Sequence, residues 1–185
     1  MEDRQRVKTG EVRLSYVNLF EARVSEKFGG APSYSVTLLI PKSDTATHSR
    51  IMAGIEAAKE AAMEKGIWGK KLPAYVHLPI HDGDGEKEDH TPYGDECKGC
   101  WVMRAKRSDK MPEVVDRACQ PIMDQSEVYS GVYGIATLRF YGYNKGKNGI
   151  GCGLGNVMIT RPGEPLASSG KSAEEDFGGD DDLLG

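Results

Sequence analysis

The sequence predicts a mainly β protein with one inserted helix, whose strands form a five-stranded barrel with extended loops. Glycine accounts for 23 of the 185 residues, a content that favours turns and short strands over a helical bundle. Several stretches alternate apolar and polar side chains, as half-buried strands do, and only one long stretch has helical spacing. A chain of this length can bury one sizeable core.

The N-terminal part is predicted to form a β-hairpin. Residues 1–10 are polar and are predicted to be loose, whereas residues 11–25 alternate like a long strand that bends near Asn18. The stretch 28–32 contains glycine and proline and is typical of a turn. Residues 34–40 are rich in strand-forming side chains and are followed by a proline, so they complete the hairpin.

The one helix is predicted over residues 45–65. An apolar stripe runs through it near helical spacing, formed by Ile51, Ile55, Ala58, Ala62 and Met63. Asp44 or Thr45 is suited to cap its N-terminus, and Gly66 is suited to end it.

The second half of the chain again predicts strands. Residues 75–80 and 112–116 are interpreted as short extended pieces, residues 100–106 as a strand, and residues 130–143 as the strongest strand of the chain. Residues 150–160 close a second hairpin. This order fits a five-stranded OB-type barrel with extended loops, although the pattern alone fits a sandwich almost as well.

Charge divides the chain into two parts. The net charge is −4, but the residues from Ser168 onward carry six acids and one base, which leaves +1 for everything before them. We predict an OB-fold domain at residues 1–166 and a disordered acidic tail at residues 167–185, because small polar residues bury too little surface to offset chain entropy. The tail residues predicted to bind a partner protein are acidic or apolar: Phe177, Asp180, Asp181, Asp182, Leu183 and Leu184.

Basic and aromatic residues interleave in three places, a pattern typical of proteins that bind single-stranded nucleic acid. Aromatic rings stack on bases, while lysine and arginine follow the phosphates. Residues two apart in a strand share a face, so Arg139, Tyr141 and Tyr143 can line one surface. The predicted DNA-binding residues are Trp68, Lys70, Lys71, Trp101, Arg104, Lys106, Arg107, Arg139, Tyr141, Tyr143, Lys145 and Lys147. The alternative interpretation is a barrel core surrounded by solvated lysines.

No stretch has the spacing of an established catalytic motif. The acidic loop 81–90 fails as an EF-hand, because Lys87 stands where that loop needs glycine and Tyr93 where it needs glutamate. The enzymatic alternative is a metal-dependent nuclease that uses the side chains of this loop, namely Asp82, Asp84, Glu86 and His90. No stretch reaches the ~18 apolar residues needed to cross a bilayer, so we expect a cytoplasmic protein.

Cys97 and Cys100 form a lone C-x-x-C pair. His81 and His90 lie upstream and would complete a tetrahedral zinc site, but no second cysteine pair strengthens that interpretation. Reduced cysteines without a metal are the simpler interpretation, and no cofactor is predicted. On sequence alone, both alternatives stay open for this pair.

Several stretches resemble a family of tailed-phage proteins that bind single-stranded DNA. The stretch Tyr129-Ser130-Gly131, with the hairpin that follows it, is the most specific. The full set comprises residues 9–16, 34–42, 79–84, 114–117, 127–133, 140–143 and 149–154. The acidic C-terminus is similar to the tips of single-stranded DNA-binding proteins in general.

This resemblance implies an OB fold with an acidic C-terminal tail and a protein without catalytic activity. It implies a role in phage replication or recombination, in which the protein protects exposed strands in the cytoplasm of the infected bacterial host. We expect phage or host replication and recombination proteins to bind the tail. The alternative from another class is a protein-interaction β domain that does not bind DNA.

Overall fold

The computed structural model describes residues 3–25 and 29–166, so the predicted acidic tail at 167–185 lies outside the described residues. Within these ranges the chain forms one helix and eight strands. They are β1 (Arg6–Lys8), β2 (Val12–Ser25), β3 (Gly29–Pro41), α1 (Thr45–Glu64), β4 (Ile80–Asp82), β5 (Cys100–Arg107), β6 (Val114–Val115), β7 (Tyr133–Tyr143) and β8 (Gly149–Arg161). Short 3₁₀ turns lie at Asp95–Cys97 and Gln125–Glu127.

Five strands close into a ring in the order β2, β3, β5, β8, β7, and β7 pairs again with β2. The neighbouring strands of the ring are antiparallel except β5 and β8, which are parallel where Lys106 lies opposite Gly153. The prediction of a mainly β protein with one helix is confirmed, and the closed ring argues against a sandwich. Outside the ring, β1 pairs with β7, β4 with β5, and β6 with β8.

Alternation along the strands separates the inside of the ring from its outside. In β7, Ala136, Leu138 and Phe140 are buried, while the residues between them are less buried and face outward. In β8 the inward positions hold apolar side chains and the outward positions hold glycine. Ile150, Cys152 and Leu154 face inward, and Gly151, Gly153 and Gly155 lie on the outward face. Between Gly151 and Gly155, the outward face of β8 is therefore bare backbone.

Helix α1 begins where the sequence predicts. The carboxylate of Asp44 accepts hydrogen bonds from the backbone N–H and the hydroxyl of Thr47, at 3.0 and 2.6 Å. These bonds hold the pKa of Asp44 below its ordinary value, so the carboxylate stays ionised and keeps the cap down to acidic pH. Beyond the last helical residue, Gly66 has a φ of +69°, which favours glycine and ends the helix.

The helix packs closely against β7 and β1. Its buried face joins the core of the ring, with Ile51 and Ile55 fully buried. A Cβ at Gly54 would lie 2.8 Å from both Phe140 and Val7, so only glycine lets the helix approach these strands so closely. The position of β1 is thereby fixed between the helix and β7. No helix in residues 3–25 or 29–166 combines the length and apolar character needed to cross a membrane.

Three predictions for local structure are wrong. Residues 1–10 are not all loose, because Arg6–Lys8 pairs with β7 as strand β1. The predicted turn at 28–32 is strand from Gly29 onward, while Phe28 lies outside the described residues. Pro32 fits there because this end of the hairpin pairs only with β2, and an edge strand tolerates proline. The strand expected at 75–80 forms instead at Ile80–Asp82.

Candidate nucleic-acid interface

Three cations lie in one row across the outward face of the sheet. Lys106 of β5 lies opposite Gly153 of β8, and Gly153 lies opposite Arg139 of β7. Arg139 in turn lies opposite Arg6 of β1. Adjacent strands are about 4.8 Å apart, so the row spans about 14 Å across four strands. The glycine between Lys106 and Arg139 leaves the centre of the row without a side chain.

We call the surface around this row the basic groove. Its volume is about 550 Å³. Its lining includes four basic side chains, one tyrosine and the glycine of the row, namely Arg6, Lys106, Arg107, Arg139, Tyr141 and Gly153. Asp109 is the one acidic residue of the lining. In a domain whose charge is close to neutral, this is a local concentration of positive charge that suits a polyanion.

Two of the four cations already have carboxylate partners. Arg139 Nε lies 3.1 Å from Asp3, and Arg107 Nε lies 2.8 Å from Asp109. Each arginine lowers the pKa of its carboxyl partner, so both acids stay ionised at neutral pH. No carboxylate of the described residues lies within 4.0 Å of Arg6 or Lys106. Asp3 lies close enough to Arg6 for the charge of this arginine to help lower the pKa of Asp3, but neither Arg6 nor Lys106 has a salt bridge to break before it contacts an anion. Arg139 would have to give up Asp3 to bind a phosphate.

The tyrosines of β7 lie across the glycines of β8. A Cβ added to Gly151 would meet Cζ of Tyr141 at 2.5 Å, and one added to Gly149 would meet Cζ of Tyr143 at 2.6 Å. Both rings therefore occupy space that any larger residue on β8 would fill. Burial raises the pKa of Tyr141, so its ring is neutral and half-buried at the edge of the basic groove. A ring held against the sheet in this way can offer its outer face to a base.

Arg104 extends the positive surface towards β3. It is two residues from Lys106 and so faces the same side of β5, where it lies opposite Thr37. Its guanidinium lies 3.4 Å from the hydroxyl of Ser35, which is the β3 residue opposite Lys106. Arg104, Lys106, Arg107, Arg139 and Tyr141 are thus brought together as one surface.

The two predicted tryptophans lie elsewhere. The indole N–H of Trp68 donates a hydrogen bond to the backbone carbonyl of Tyr143, at 2.8 Å, and its ring packs against the core. Trp101 is three residues from Arg104, so it lies on the opposite face of β5. There it stacks on His48 of α1 with ring centroids 4.8 Å apart. Both rings have structural contacts away from the basic groove.

The remaining predicted lysines are exposed on loops. Lys70 and Lys71 follow Trp68, outside the lining of the basic groove. Lys145 and Lys147 lie in the turn between β7 and β8, directly after Tyr143, and Lys147 is 3.9 Å from Glu88. This turn joins the fourth and fifth strands of the ring, the position of a loop that binds oligonucleotides in OB folds.

Arg6 is the groove residue that sequence reasoning missed. Its only local signal is the alternation of Arg6, Val7 and Lys8, in which Val7 is 7% exposed and the two bases face outward. Three residues are too few to distinguish a strand from a polar terminus by periodicity.

The acidic loop proposed for the nuclease alternative is held by a lysine. Lys42 Nζ lies 2.6 Å from Asp82 and 2.7 Å from Asp84, and its hydrogen bonds lower the pKa of both carboxyls. Asp84 also accepts a hydrogen bond from the backbone N–H of Gly99, at 3.0 Å. The ammonium group of Lys42 lies between the two carboxylates, so it connects the loop to the residue that follows β3 and occupies the position that a metal ion shared by them would take.

Cys97 and Cys100 lie in the same region. Cys97 packs with Leu39 and Val102, and burial raises its pKa to about 11; burial also raises the pKa of Cys100. Both thiols are therefore protonated at neutral pH. In the ranges that the structure covers, no group of three or more histidine, cysteine or carboxylate side chains is arranged to hold a metal ion. The absence of a cofactor stays a prediction.

Comparison with known sequences finds similar proteins along almost the whole chain. Residues 5–184 match the profile of a family described as the single-stranded DNA-binding protein of Enterobacter phage Enc34. A curated relative, putative protein p50 of Acyrthosiphon pisum secondary endosymbiont phage 1, is 33% identical over 187 residues, which cover 96% of this chain and 94% of the relative.

Two solved structures resemble the fold. The single-stranded DNA-binding protein of bacteriophage Enc34, in complex with single-stranded DNA, matches with a TM-score of 0.73 and 29% identity over 88% of this chain and 90% of that one. The single-stranded DNA-binding protein gp2.5 of bacteriophage T7 matches with a TM-score of 0.60 and 17% identity over 90% of this chain and 97% of that one. At that identity, the second match supports the fold alone.

Proposed function

This chain belongs to the family of single-stranded DNA-binding proteins described for Enterobacter phage Enc34, and from that premise we propose that it binds single-stranded DNA in the basic groove. The observation that carries the proposal is the row of Lys106, Arg139 and Arg6 beside the ring of Tyr141. The family relatives are binding proteins, which supports the prediction that the chain is not an enzyme.

The groove suits binding that tolerates any sequence. The cations contact phosphates, which are the same for every nucleotide, and a tyrosine stacks on any base at about 1–3 kcal/mol. OB folds bind oligonucleotides on the face of their second and third strands and on the loop between the fourth and fifth. Here these elements are β3, β5 and the β7–β8 turn, which carry Arg104, Lys106, Lys145 and Lys147.

Fluorescence polarisation with labelled oligonucleotides tests this function. We expect oligothymidylate and mixed-sequence single strands to bind with similar affinity, and duplex DNA to bind more weakly. The logarithm of the affinity should fall with the logarithm of salt concentration at a slope of roughly −2 to −4, as a handful of phosphate contacts predicts for single strands. An affinity that does not change with salt, or a strong preference for one duplex sequence, would contradict the proposal.

We further propose that the C-terminal residues 167–185 compete with DNA for the groove and recruit replication or recombination proteins. Six carboxylates lie between Glu174 and Asp182, and apolar side chains follow at Leu183 and Leu184. The described chain ends at Leu166, whose N–H donates to the carbonyl of Ser130 at 2.8 Å. The side chain of Leu166 packs with the cluster that contains Val102.

The position of Leu166 supports competition. Val102 is two residues from Arg104 and shares its face of β5, so the chain leaves the described fold on the side that carries the groove. A tethered acidic segment has a high effective concentration at a site on its own molecule. DNA that fills the groove would release the segment, and its apolar tip would then be available to a partner protein.

Truncation after Leu166 should tighten DNA binding at low salt by roughly two- to tenfold, as expected if a millimolar effective concentration competes at a weak site. The gain should shrink at high salt, because screening weakens contacts between exposed charges. Titrations of both proteins at two salt concentrations measure it. A full-length variant with Asp180, Asp181 and Asp182 replaced by asparagine keeps the length, removes half of the six carboxylates, and should bind DNA with an affinity between those of the other two proteins. Equal affinities of all three proteins at low salt would exclude competition.

A further inference from the structure

A second basic surface lies beyond the edge of the groove. We call it the N-terminal basic surface. It is a concavity of about 550 Å³ whose lining includes Arg4, Arg6 and Lys8 from the N-terminal segment and Arg50 from α1. Asp3 is the one acidic residue of its lining. The family resemblance assigns this surface no role, and none of its basic residues is among the predicted DNA-binding residues.

The two basic surfaces are continuous. Arg6 lines both of them. Lys8 lies opposite Thr137, which lines the basic groove, just as Arg6 lies opposite Arg139. Because Arg6 and Lys8 are exposed and Val7 between them is buried, both bases face the same outward side as the groove. A path over β1 therefore leads from Arg139 to the helix.

Arg50 is fixed at the far end of this path. Its Nε donates to the backbone carbonyl of Lys8 at 3.0 Å, and its guanidinium also reaches the hydroxyl of Thr47 at 3.2 Å. These bonds hold the guanidinium beside β1. The hydroxyl of Thr47 also donates to Asp44, whose pKa the charge of Arg50 lowers, so this carboxylate offsets part of the positive charge. An arginine whose position is set in advance loses less side-chain entropy when it binds an anion.

The charges of this surface are only partly compensated. Arg4 pairs with Glu60 at 2.6 Å, and Asp3 is engaged by Arg139. Among the described side chains, no carboxylate lies within 4.0 Å of Lys8 or Arg50. Like charges placed this close repel each other, so a polyanion that covers them relieves the repulsion. The lining contains no aromatic ring, so the surface suits phosphates and offers no stacking platform for bases.

We propose that a single strand of DNA leaves the basic groove past Arg139, crosses β1 over Arg6, and continues along the phosphate-binding side chains of Lys8 and Arg50 on the N-terminal basic surface. This inference rests on the proposed function and lengthens the binding site beyond the groove. It assigns phosphate contacts, and no base contacts, to the added part of the site.

The test measures the affinity of three variants for oligothymidylates of about 4 to 16 nucleotides, the range of site sizes for one OB fold. The variants are Lys8→Gln, Arg50→Gln and the double variant. One lost phosphate contact should lower affinity about fivefold at 0.1 M salt, since the slope for single strands is about −0.7 per contact. The double variant should therefore lose about 25-fold on the longest oligonucleotides and nothing on the shortest.

Two variants control for loss of structure and of charge. Arg50→Lys keeps the charge and should retain most of the affinity of the unaltered protein. Lys65→Gln removes an exposed charge at the other end of α1, about 22 Å along the helix from Arg50, and should change nothing. Lys8→Gln does not alter the backbone carbonyl of Lys8, to which Arg50 donates. It therefore tests the path even if an Arg50 variant loosens β1.

Three outcomes would overturn the path. An equal loss on short and long oligonucleotides would mean that the variants disturb the groove itself. No loss at any length, while groove variants bind weakly, would reject the path and leave the proposed function intact. A loss that disappears in protein truncated after Leu166 would assign the surface to the acidic segment of this or another copy. If groove variants also bind normally, the proposed function itself fails.

Discussion

Replacing Arg6, Lys106 and Arg139 together by glutamine is expected to weaken the binding of a short oligothymidylate by about 100-fold at 0.1 M salt. Each of these side chains stands in the row that crosses the groove, and each is expected to hold one phosphate. One contact contributes about fivefold at this salt concentration, and the effects multiply. The slope of log affinity against log salt should also become shallower by about 2.

The control for this experiment removes the same charge elsewhere. Lys59, Lys65 and Lys87 line neither basic surface, so their joint replacement by glutamine should leave both affinity and slope nearly unchanged. Asp3→Asn is the opposite test, because it removes the carboxylate that pairs with Arg139 and should tighten binding. If the variant of Arg6, Lys106 and Arg139 remains folded and keeps the original slope of log affinity against log salt, the phosphates bind elsewhere.

Tyr141→Ala is expected to cost about 1–3 kcal/mol of binding, or about 5- to 150-fold, if the ring stacks on a base. Gly151→Ala should cause part of the same loss while leaving the ring in the protein, because the added Cβ would displace the ring from β8. The salt slope should stay constant in both variants, since no phosphate contact is removed. Binding titrations at several salt concentrations measure both quantities.

The double variant separates stacking from simple loss of structure. If Gly151 acts only through the ring, adding Gly151→Ala to Tyr141→Ala should cause no further loss of affinity. Tyr141→Phe is the matched control, because it keeps the aromatic ring and removes only the hydroxyl, so it should retain most of the affinity. If Tyr141→Ala melts at a much lower temperature but binds normally when folded, the ring belongs to the core and the stacking proposal fails.

Strand and helix positions could be predicted because their patterns are long. The alternation of β7 and the apolar stripe of α1 each extend over many residues, and both elements form where expected. Strand β1 has only three residues, and its formation depends on pairing with β7 and on the burial of Val7 under α1. Information of that kind is absent from the local sequence.

The site was partly predictable for the same reason. Arg139, Tyr141 and Lys106 follow from counting positions along strands, and the same counting separates Trp101 from Arg104 because an odd interval changes the face. Trp68 lies in a loop without a period, so only the structure shows that its N–H binds the carbonyl of Tyr143. The role of Gly151 depends on the register between β7 and β8, and this register cannot be predicted from the amino-acid composition.

The groove is built from strands that are distant in the chain. Its cations belong to β1, β5 and β7, and the parallel contact of Lys106 with Gly153 forms only when the C-terminal hairpin has docked beside β5. Such non-local pairings form late and slowly during folding. A ligand that binds only the folded chain stabilises it, by about 2.7 kcal/mol at a hundred times its Kd. A DNA strand bound from β5 to β1 would cross the contact between β5 and β8, so we expect bound DNA to oppose the separation of these two strands.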